Sequence, residues 1–512
     1  MTNRTIKRVN ILINDFCSSM WFPSFILVVD ENSMTKLKIG AELMIETART
    51  DVRLDAIEEF LAELSNIHNL SKFLDKKYLV KYYIINVISK DVCYIQNYRG
   101  TGYILKIDAK DCMKKYERFN IVDDVVAQSS RIFPCRFFFK PTFFVIDLTY
   151  KCNLNCIYCV RKRFNYNKNN SNISKQILTK IVELIKQAVD KFNLDRVYIQ
   201  PYGGEPTLYN ELIFYLDDLL NTTIGKGKYK IVLETNGIGI TPDIAHEFYR
   251  RGIGIGLSID GPENVHDMQR GRGSYRVVVN ALNNLINAGY KMEEIGVISV
   301  ITKYSIDKLD TIVNHLINEL GFTIVHLNYP IHSSDNVRPQ IEIYAREIVR
   351  VFTELINNNK NIKIRPLTEL IFSMFIGHSH SVCYQYDGCY AGMSMLSFDI
   401  HGNIYPCPEL VGLSEYALGN INRISGIEDI KKRSANFRKK VCYSFKELIP
   451  GKGYGCIAFH KRIGTTDQVN MYSTLFKELI IKIANDTKFR YNLEQYLANA
   501  LNRYYRNLDS NS

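Results

Sequence analysis

The chain has 512 residues, length for roughly two to four domains with ample core. Hydrophobic residues make up 46% and charged residues 23%, an ordinary globular balance, and no uninterrupted apolar run reaches the ~18 residues of a helical membrane span. The net charge of +12 permits an acidic partner, but much of it sits in one run, Lys431–Lys440, which reads as a solvated helix face, so neither nucleic acid nor membrane is expected as a partner.

The N-terminus offers only a short apolar patch, Val9–Ile13, and no cleavage site, so secretion is not expected and the chain is read as cytoplasmic. Phe22–Asp30 and Thr35–Ile39 read as a strand pair around a Glu-Asn-Ser-Met turn. Helical patterns follow at Ala41–Ala48, Leu54–Leu64 and Leu70–Ile84, giving a winged-helix-like order. A second strand pair, Val92–Gln96 and Tyr103–Ile107, flanks Arg-Gly-Thr-Gly, and helical patterns recur at Ala109–Tyr116 and Ile121–Ser129. Pro134 and Pro141 mark a boundary near residue 140.

From Thr142 strands and helices alternate. The strands are Phe143–Leu148, Arg196–Gln200, Lys228–Leu233, Ile253–Ser258, Ile295–Val300 and Ile324–Leu327. The helices between them are Lys175–Lys191, Tyr209–Leu220, Ile244–Arg251, Tyr275–Ala288 and Ile306–Leu320. This alternation predicts parallel strands with helical crossovers, and the fold class is α/β, a partial (β/α)6 TIM-like barrel. Sites then belong in the loops at the C-terminal ends of the strands. Residues 338–372 read as largely helical, 383–456 as irregular with a hairpin over Phe398–Tyr405, and 466–512 as a helical tail. Four regions result: 1–140, 141–345, 346–465 and 466–512.

Twelve cysteines in an unsecreted chain point to metal or redox use rather than disulfides. Cys17, Cys93, Cys112 and Cys135 are scattered and read as small buried hydrophobes. Cys152, Cys156 and Cys159 follow the first barrel strand with the spacing C-x3-C-x2-C. Three thiolates so close can share a soft metal centre and leave one position open. A structural zinc site would need a fourth ligand nearby. After the second strand comes Tyr202-Gly203-Gly204-Glu205-Pro206, after the third Glu234-Thr235-Asn236-Gly237, and after the fourth Ser258-Ile259-Asp260-Gly261-Pro262 with His266, Asp267 and Arg270. Each could be a plain turn or cap. Together they lie at one barrel mouth.

Jointly these motifs resemble the radical S-adenosylmethionine superfamily, and within it the SPASM-type peptide maturases, over about residues 142–465. The resemblance implies a [4Fe–4S] cluster on Cys152, Cys156 and Cys159, with S-adenosylmethionine on its open iron. It implies Tyr158 near the adenine, and Gly203, Gly204 and Glu205 at the amino group, through the carboxylate or neighbouring carbonyls. Ser258 and Asp260 would lie toward the ribose and carboxylate end, and Thr235 and Asn236 would line the pocket. Cys383-x5-Cys389, then Gly402-x4-Cys407, resembles the opening half of a SPASM or twitch-like domain. The rest of that pattern is eroded, which implies one auxiliary [4Fe–4S] cluster on Cys383, Cys389, Cys407 and Cys456. Cys442 competes for the fourth place, and zinc on the same thiolates is the alternative metal. Pro408 stands where anaerobic sulfatase-maturing enzymes carry an acidic residue, which argues against formylglycine formation.

The expected activity is that of a radical S-adenosylmethionine oxidoreductase acting on a ribosomally synthesised precursor peptide. Its leader would be recognised by the winged-helix-like N-terminal region, and a flavodoxin- or ferredoxin-type donor would supply single electrons. Thioether cross-linking is the leading outcome, sactisynthase-like; carbon–carbon cross-linking and epimerisation are alternatives. A radical enzyme of the molybdenum-cofactor-biosynthesis kind, acting on a nucleotide, is a second enzyme reading. An iron–sulfur electron carrier or sensor is the non-enzyme reading, and it leaves the Gly-Gly-Glu-Pro and Ser-Ile-Asp-Gly-Pro loops unexplained. No catalytic proton or hydrogen donor is identified by the sequence.

Overall fold

The computed structural model describes residues 138–159, 172–331, 333, 336–375, 389–444, 458, 471–493, 495–497 and 499, and five strands nearer the N-terminus. Those five are β1 (Ile26–Asp30), β2 (Met34–Lys36), β3 (Tyr83–Ser89), β4 (Val92–Asn97) and β5 (Gly102–Lys106). They form one sheet in the order β2-β1-β5-β4-β3. Both expected strand pairs are present, but β1 joins β5 in parallel and merges them. Leu70–Ile84 was expected to be helical to its end, whereas Tyr83 and Ile84 open β3; Tyr83-Ile-Ile-Asn-Val-Ile-Ser is β-branched and pairs with β4. The expected helices at Ala41–Ala48, Leu54–Leu64, Ala109–Tyr116 and Ile121–Ser129 lie outside the described residues.

All six expected barrel strands form: β6 (Phe143–Thr149), β7 (Val197–Gly203), β8 (Tyr229–Thr235), β9 (Gly254–Ser258), β10 (Ile295–Val300) and β11 (Ile324–Asn328). They pair in chain order and in parallel. The crossover helices are α1 (Lys175–Phe192), α2 (Asn210–Ile224), α3 (Pro242–Arg251), α4 (Glu263–Arg270), α5 (Ser274–Asn287) and α6 (Leu309–Asn314). Helix α1 shows how the sequence encodes them. Ser174 caps its start by accepting from the Ile177 N–H (3.2 Å), and Asn193 closes it in the left-handed conformation. Leu178, Ile181, Val182, Ile185, Ala188 and Val189 form its buried stripe at helical spacing.

Three features depart from the sequence reading. Lys363–Arg365 forms a seventh parallel strand, β12, beside β11, inside a stretch read as helical. It separates α7 (Ile341–Asn357) from α8 (Leu367–Phe375), and α7 runs through the expected 345/346 boundary. The Ile306–Leu320 helix breaks into a 3₁₀ turn, α6 and a π-helical turn at His315–Glu319. The expected hairpin is present as β13 (Met395–Phe398) and β14 (Asn403–Tyr405), with β15 (Gly419–Asn420) beyond it. In addition, β13 pairs in parallel with β6, so one ten-stranded mixed sheet runs from β12 to β15.

Helix α9 (Ile427–Ser444) holds the basic run, and α10 (Met471–Asn485) packs on α7 and on strands β3–β5. Among the described residues no helix is long and apolar enough to cross a membrane.

Candidate active site at the barrel mouth

The cysteine triad hangs directly from the C-terminal end of β6. Backbone bonds tie it to β7: the Gly204 N–H donates to the Thr149 carbonyl (2.8 Å) and the Glu205 N–H to the Lys151 carbonyl (2.8 Å). The approach leaves no room for a side chain. A Cβ on Gly203, whose φ is +123°, would lie 2.1 Å from the Thr149 oxygen, and one on Gly204 2.0 Å from the Lys151 oxygen. The glycine pair therefore serves first to seat the triad loop. Two further ties hold the loop from other sides. The Ile157 N–H donates to the Gln269 carbonyl on α4 (2.9 Å), and the Ser333 hydroxyl to the Tyr158 carbonyl (2.5 Å).

None of the three thiols is in a disulfide; Cys152 is exposed, Cys156 and Cys159 half-buried. Burial pushes the Cys156 thiol up to about 11; Arg270 opposes this, while Asp260, Cys159 and Cys152 add to it. The three sulfurs thus share one field. Among the described residues no three His, Cys, Asp or Glu side chains close on a single-ion site. Three thiols outside any disulfide, on one backbone-fixed loop, are a donor set that fits iron–sulfur ligation.

Glu205 turns inward. Its side chain is buried, and one carboxylate oxygen accepts from the Thr207 N–H (3.0 Å), the Thr207 hydroxyl (2.7 Å) and the Thr235 hydroxyl (2.7 Å). The other accepts from the Asn236 N–H (2.8 Å). Glu205 therefore clamps the ends of β7 and β8 together, which leaves backbone carbonyls as the remaining acceptors in its loop. Asn236 continues inward to the triad, donating its side-chain amide to Asn153 (2.8 Å).

Asp260 is the second clamp, with 0% exposure. It accepts from the Tyr158 hydroxyl (2.8 Å), from Arg270 (3.0 Å) and from the Val300 N–H (3.0 Å). The Asp260 N–H donates to His266 Nδ1 (3.2 Å), which fixes that ring as an acceptor there. Burial pushes His266 down to about 4, with Asp260 opposing and Arg270 adding. The Arg270 guanidinium also lies 5.5 Å from the Tyr158 ring centroid, a cation–π contact. Burial, chiefly, raises the Tyr158 phenol well above its ordinary value. Ser258, half-buried, ends β9 on the same rim.

The structure thus gathers Cys152, Cys156, Cys159, Tyr158, Gly203, Gly204, Glu205, Thr235, Asn236, Ser258 and Asp260 at one end of the parallel strands. Sequence reasoning missed Asn153, Gln269 and Ser333 as partners. Arg270, singled out after the fourth strand together with His266 and Asp267, lies on α4 and pairs with Asp260.

In the second cysteine group, Cys389 and Cys407 are half-buried and pack on the core. The Gly392 N–H donates to the Pro406 carbonyl (2.9 Å), which sets the two cysteine segments side by side. From α9, Arg438 donates to the Cys389 carbonyl (2.7 Å) and is only 4% exposed, so the basic run is not uniformly a solvated face. Cys383 and Cys456 lie outside the described residues, as does the side chain of Cys442.

Comparison with known proteins bears on this rim. The Radical SAM superfamily profile matches residues 146–316. The uncharacterized protein MJ0907 of Methanocaldococcus jannaschii is 28% identical over 60% of this chain and 96% of its own. The mycofactocin maturase of Mycolicibacterium smegmatis is 26% identical over 57% of this chain and 70% of its own. A solved structure of native anSMEcpe with bound AdoMet (S-adenosylmethionine) superposes with a TM-score of 0.55 at 21% identity, covering 68% of this chain and 100% of that one, a likeness of fold. This family implies a [4Fe–4S] cluster and S-adenosylmethionine as cofactors, and the thiols and loops at this mouth suit both. Residues 146–316, from β6 to the π-helical turn, thus carry a radical SAM domain, and that domain with its maturase relatives points to an enzyme.

Proposed function

We propose that this enzyme modifies a ribosomally synthesised precursor peptide, with thioether cross-linking as the leading outcome and carbon–carbon cross-linking or epimerisation as alternatives. The observation that carries the reading is the triad loop locked against Gly203-Gly204-Glu205 at a mouth shared with Asp260, in a chain similar to a mycofactocin maturase. Cys152, Cys156 and Cys159 would hold the cluster. When bound, the cluster and S-adenosylmethionine supply a 5′-deoxyadenosyl radical on receipt of one electron. Carbonyls of the Gly203–Glu205 loop would accept from the cofactor's ammonium, because the Glu205 carboxylate is engaged elsewhere. Tyr158, Thr235, Asn236, Ser258 and Asp260 would shape the pocket and exclude water.

The half-buried pair Cys389 and Cys407 supports an auxiliary [4Fe–4S] cluster, completed by Cys383 and Cys456, in a SPASM-like region. The five-stranded N-terminal sheet offers edges on which a leader could add as a strand. A flavodoxin- or ferredoxin-type protein would deliver the electron. The division 1–140, 141–345, 346–465 and 466–512 into leader-binding, barrel, auxiliary and tail regions then holds with the barrel extended past residue 345 to take in α7 and β12, in a cytoplasmic enzyme.

Anaerobic reconstitution followed by dithionite and S-adenosylmethionine should yield 5′-deoxyadenosine and methionine; their absence would sink the radical chemistry. Co-expression with short candidate peptides should give a product lighter by two hydrogens if a cross-link forms, and an unchanged mass if an epimer forms. A Cys152/Cys156/Cys159→Ala variant should retain about four irons if one auxiliary cluster is present.

A further inference from the structure

On the outer side of the triad loop three large apolar side chains meet water. Ile157 is 42% exposed, Met268 41% and Tyr304 46%. Hydrogen bonds bring their backbones together around Gln269. The Ile157 N–H donates to the Gln269 carbonyl (2.9 Å), and Met268 is the neighbouring residue on α4. The Gln269 side chain accepts from the Thr302 hydroxyl (2.5 Å), whose oxygen in turn takes the Tyr304 N–H (3.2 Å). A second path closes the ring. Ser333 holds the Tyr158 carbonyl, and farther along that segment the Asn336 carbonyl accepts from the Tyr304 hydroxyl (3.1 Å). Within the loop two neighbours face opposite ways: Tyr158 turns in to Asp260, and Ile157 turns out to solvent. Exposed apolar residues scattered singly need no explanation, but three gathered beside the triad make a patch.

The rim of the patch is cationic. Lys303 is exposed, with its ammonium 5.1 Å from the Tyr304 ring centroid. Arg272 and Lys308 follow on the same two segments and are exposed. Of the acids there, Glu263 pairs with Arg276, and Asp267 is turned back to accept from the Gly273 and Tyr275 N–H groups. Asp307 is left as the exposed acid against three cations. A small apolar centre within a rim of one charge sign suits a transient, electrostatically guided encounter. The occupant follows from where the patch lies. Ile157 stands between Cys156 and Cys159, so a protein seated here comes close to the thiols without entering the mouth, which cofactor and substrate need. The rim selects a partner with an acidic surface. A second basic surface, the stripe of Lys432, Arg433, Asn436, Lys439 and Lys440 on α9, carries no apolar side chain, and α9 adjoins Cys389 through Arg438 rather than the triad. Such a face supplies steering without an anchor.

We propose that Ile157, Met268 and Tyr304, with Lys303 beside them, form the docking face for an acidic one-electron carrier protein. On docking, one electron passes from the reduced carrier to the cluster held by the triad, and the carrier leaves oxidised. The proposal rests on the radical reading given above and adds where its electron donor binds. Anaerobically reconstituted enzyme is titrated by calorimetry, without S-adenosylmethionine, with oxidised flavodoxin and oxidised ferredoxin as probes. Met268→Glu and Lys303→Glu should each weaken binding of the tighter probe roughly tenfold, and Lys303→Arg should keep it. Wild-type affinity should fall as salt is raised. Lys432→Glu on α9 should bind as the wild type does. In all variants the electron paramagnetic resonance signal produced by dithionite should match the wild type, since a small reductant needs no docking face. Binding of neither probe by the wild type, wild-type affinity in both Met268→Glu and Lys303→Glu, or a loss confined to Lys432→Glu would each overturn the proposal. If the two patch variants keep carrier affinity but lose modification of a co-expressed peptide, the patch belongs to the substrate and the proposal falls. Failed docking with 5′-deoxyadenosine still formed under dithionite removes the face and leaves the radical chemistry standing; carrier binding with no 5′-deoxyadenosine under dithionite removes the enzyme reading and leaves the face.

Discussion

The carboxylates at the barrel mouth and the one inside the barrel live in opposite circumstances. Glu205 has four internal donors and Asp260 three, drawn from different strands, loops and helices. Glu234 has a Gln200 hydrogen bond and the opposing charge of Arg365. A buried acid surrounded by donors is scaffolding: its acceptor sites are spent mostly on fixing loops. A half-buried acid with a single hydrogen-bond partner and one opposing charge contributes less to the fold. Functional placement at this site follows from the number of partners rather than from the presence of charge.

Breaking the scaffold side should have the largest effects. Gly204→Ala forces a Cβ onto the Lys151 carbonyl, so the triad loop must detach. Iron bound by the triad, counted after anaerobic reconstitution, should fall to near zero while far-UV circular dichroism is retained. Asp260→Ala leaves Arg270 buried without its carboxylate and should cost about 3–5 kcal/mol in urea unfolding. Asp260→Ala with Arg270→Met should recover part of that loss; equal instability of the single and double variants would mean that the buried cation is not the cause.

Smaller effects sharpen the contrast. His266 is held below its ordinary value, so between pH ~6.5 and about 4 the unfolded chain binds a proton that the folded chain refuses. Stability should fall as pH drops through that window, and His266→Asn should flatten the slope there. Glu234 is shifted the other way. Its folded form ionises less readily than the unfolded one, so its burial weighs against folding once pH rises above the unfolded value. Glu234→Gln should leave thermal stability unchanged or slightly raised near neutral pH, where Glu205→Gln should lower it. Matching losses in the two variants would erase the distinction between mouth and interior.

The six barrel strands were legible because each is a β-branched run bounded by turn residues, as in Ile295–Val300. The triad was legible through its spacing alone. What holds it was not: Gln269 contributes a backbone carbonyl, and such an acceptor leaves no side-chain signature. The direction of the Glu205 carboxylate was equally hidden, because Thr207 and Thr235 reach it from two different loops. Strand β12, three residues between two helices, is too short to show alternation, and so it was missed. Arg438 was concealed among neighbouring solvated lysines, since composition does not distinguish the faces of a helix.

The pairing of β13 with β6 has a consequence for how the molecule is made. Phe143 meets Met395 across about 250 residues of chain, so the strand that bears the triad stays an open edge until most of the protein has left the ribosome. A nascent chain stopped before residue 395 would present that edge, with its thiols beside it, to any neighbouring strand. That edge of the barrel sheet is thereby closed only by a strand made about 250 residues later.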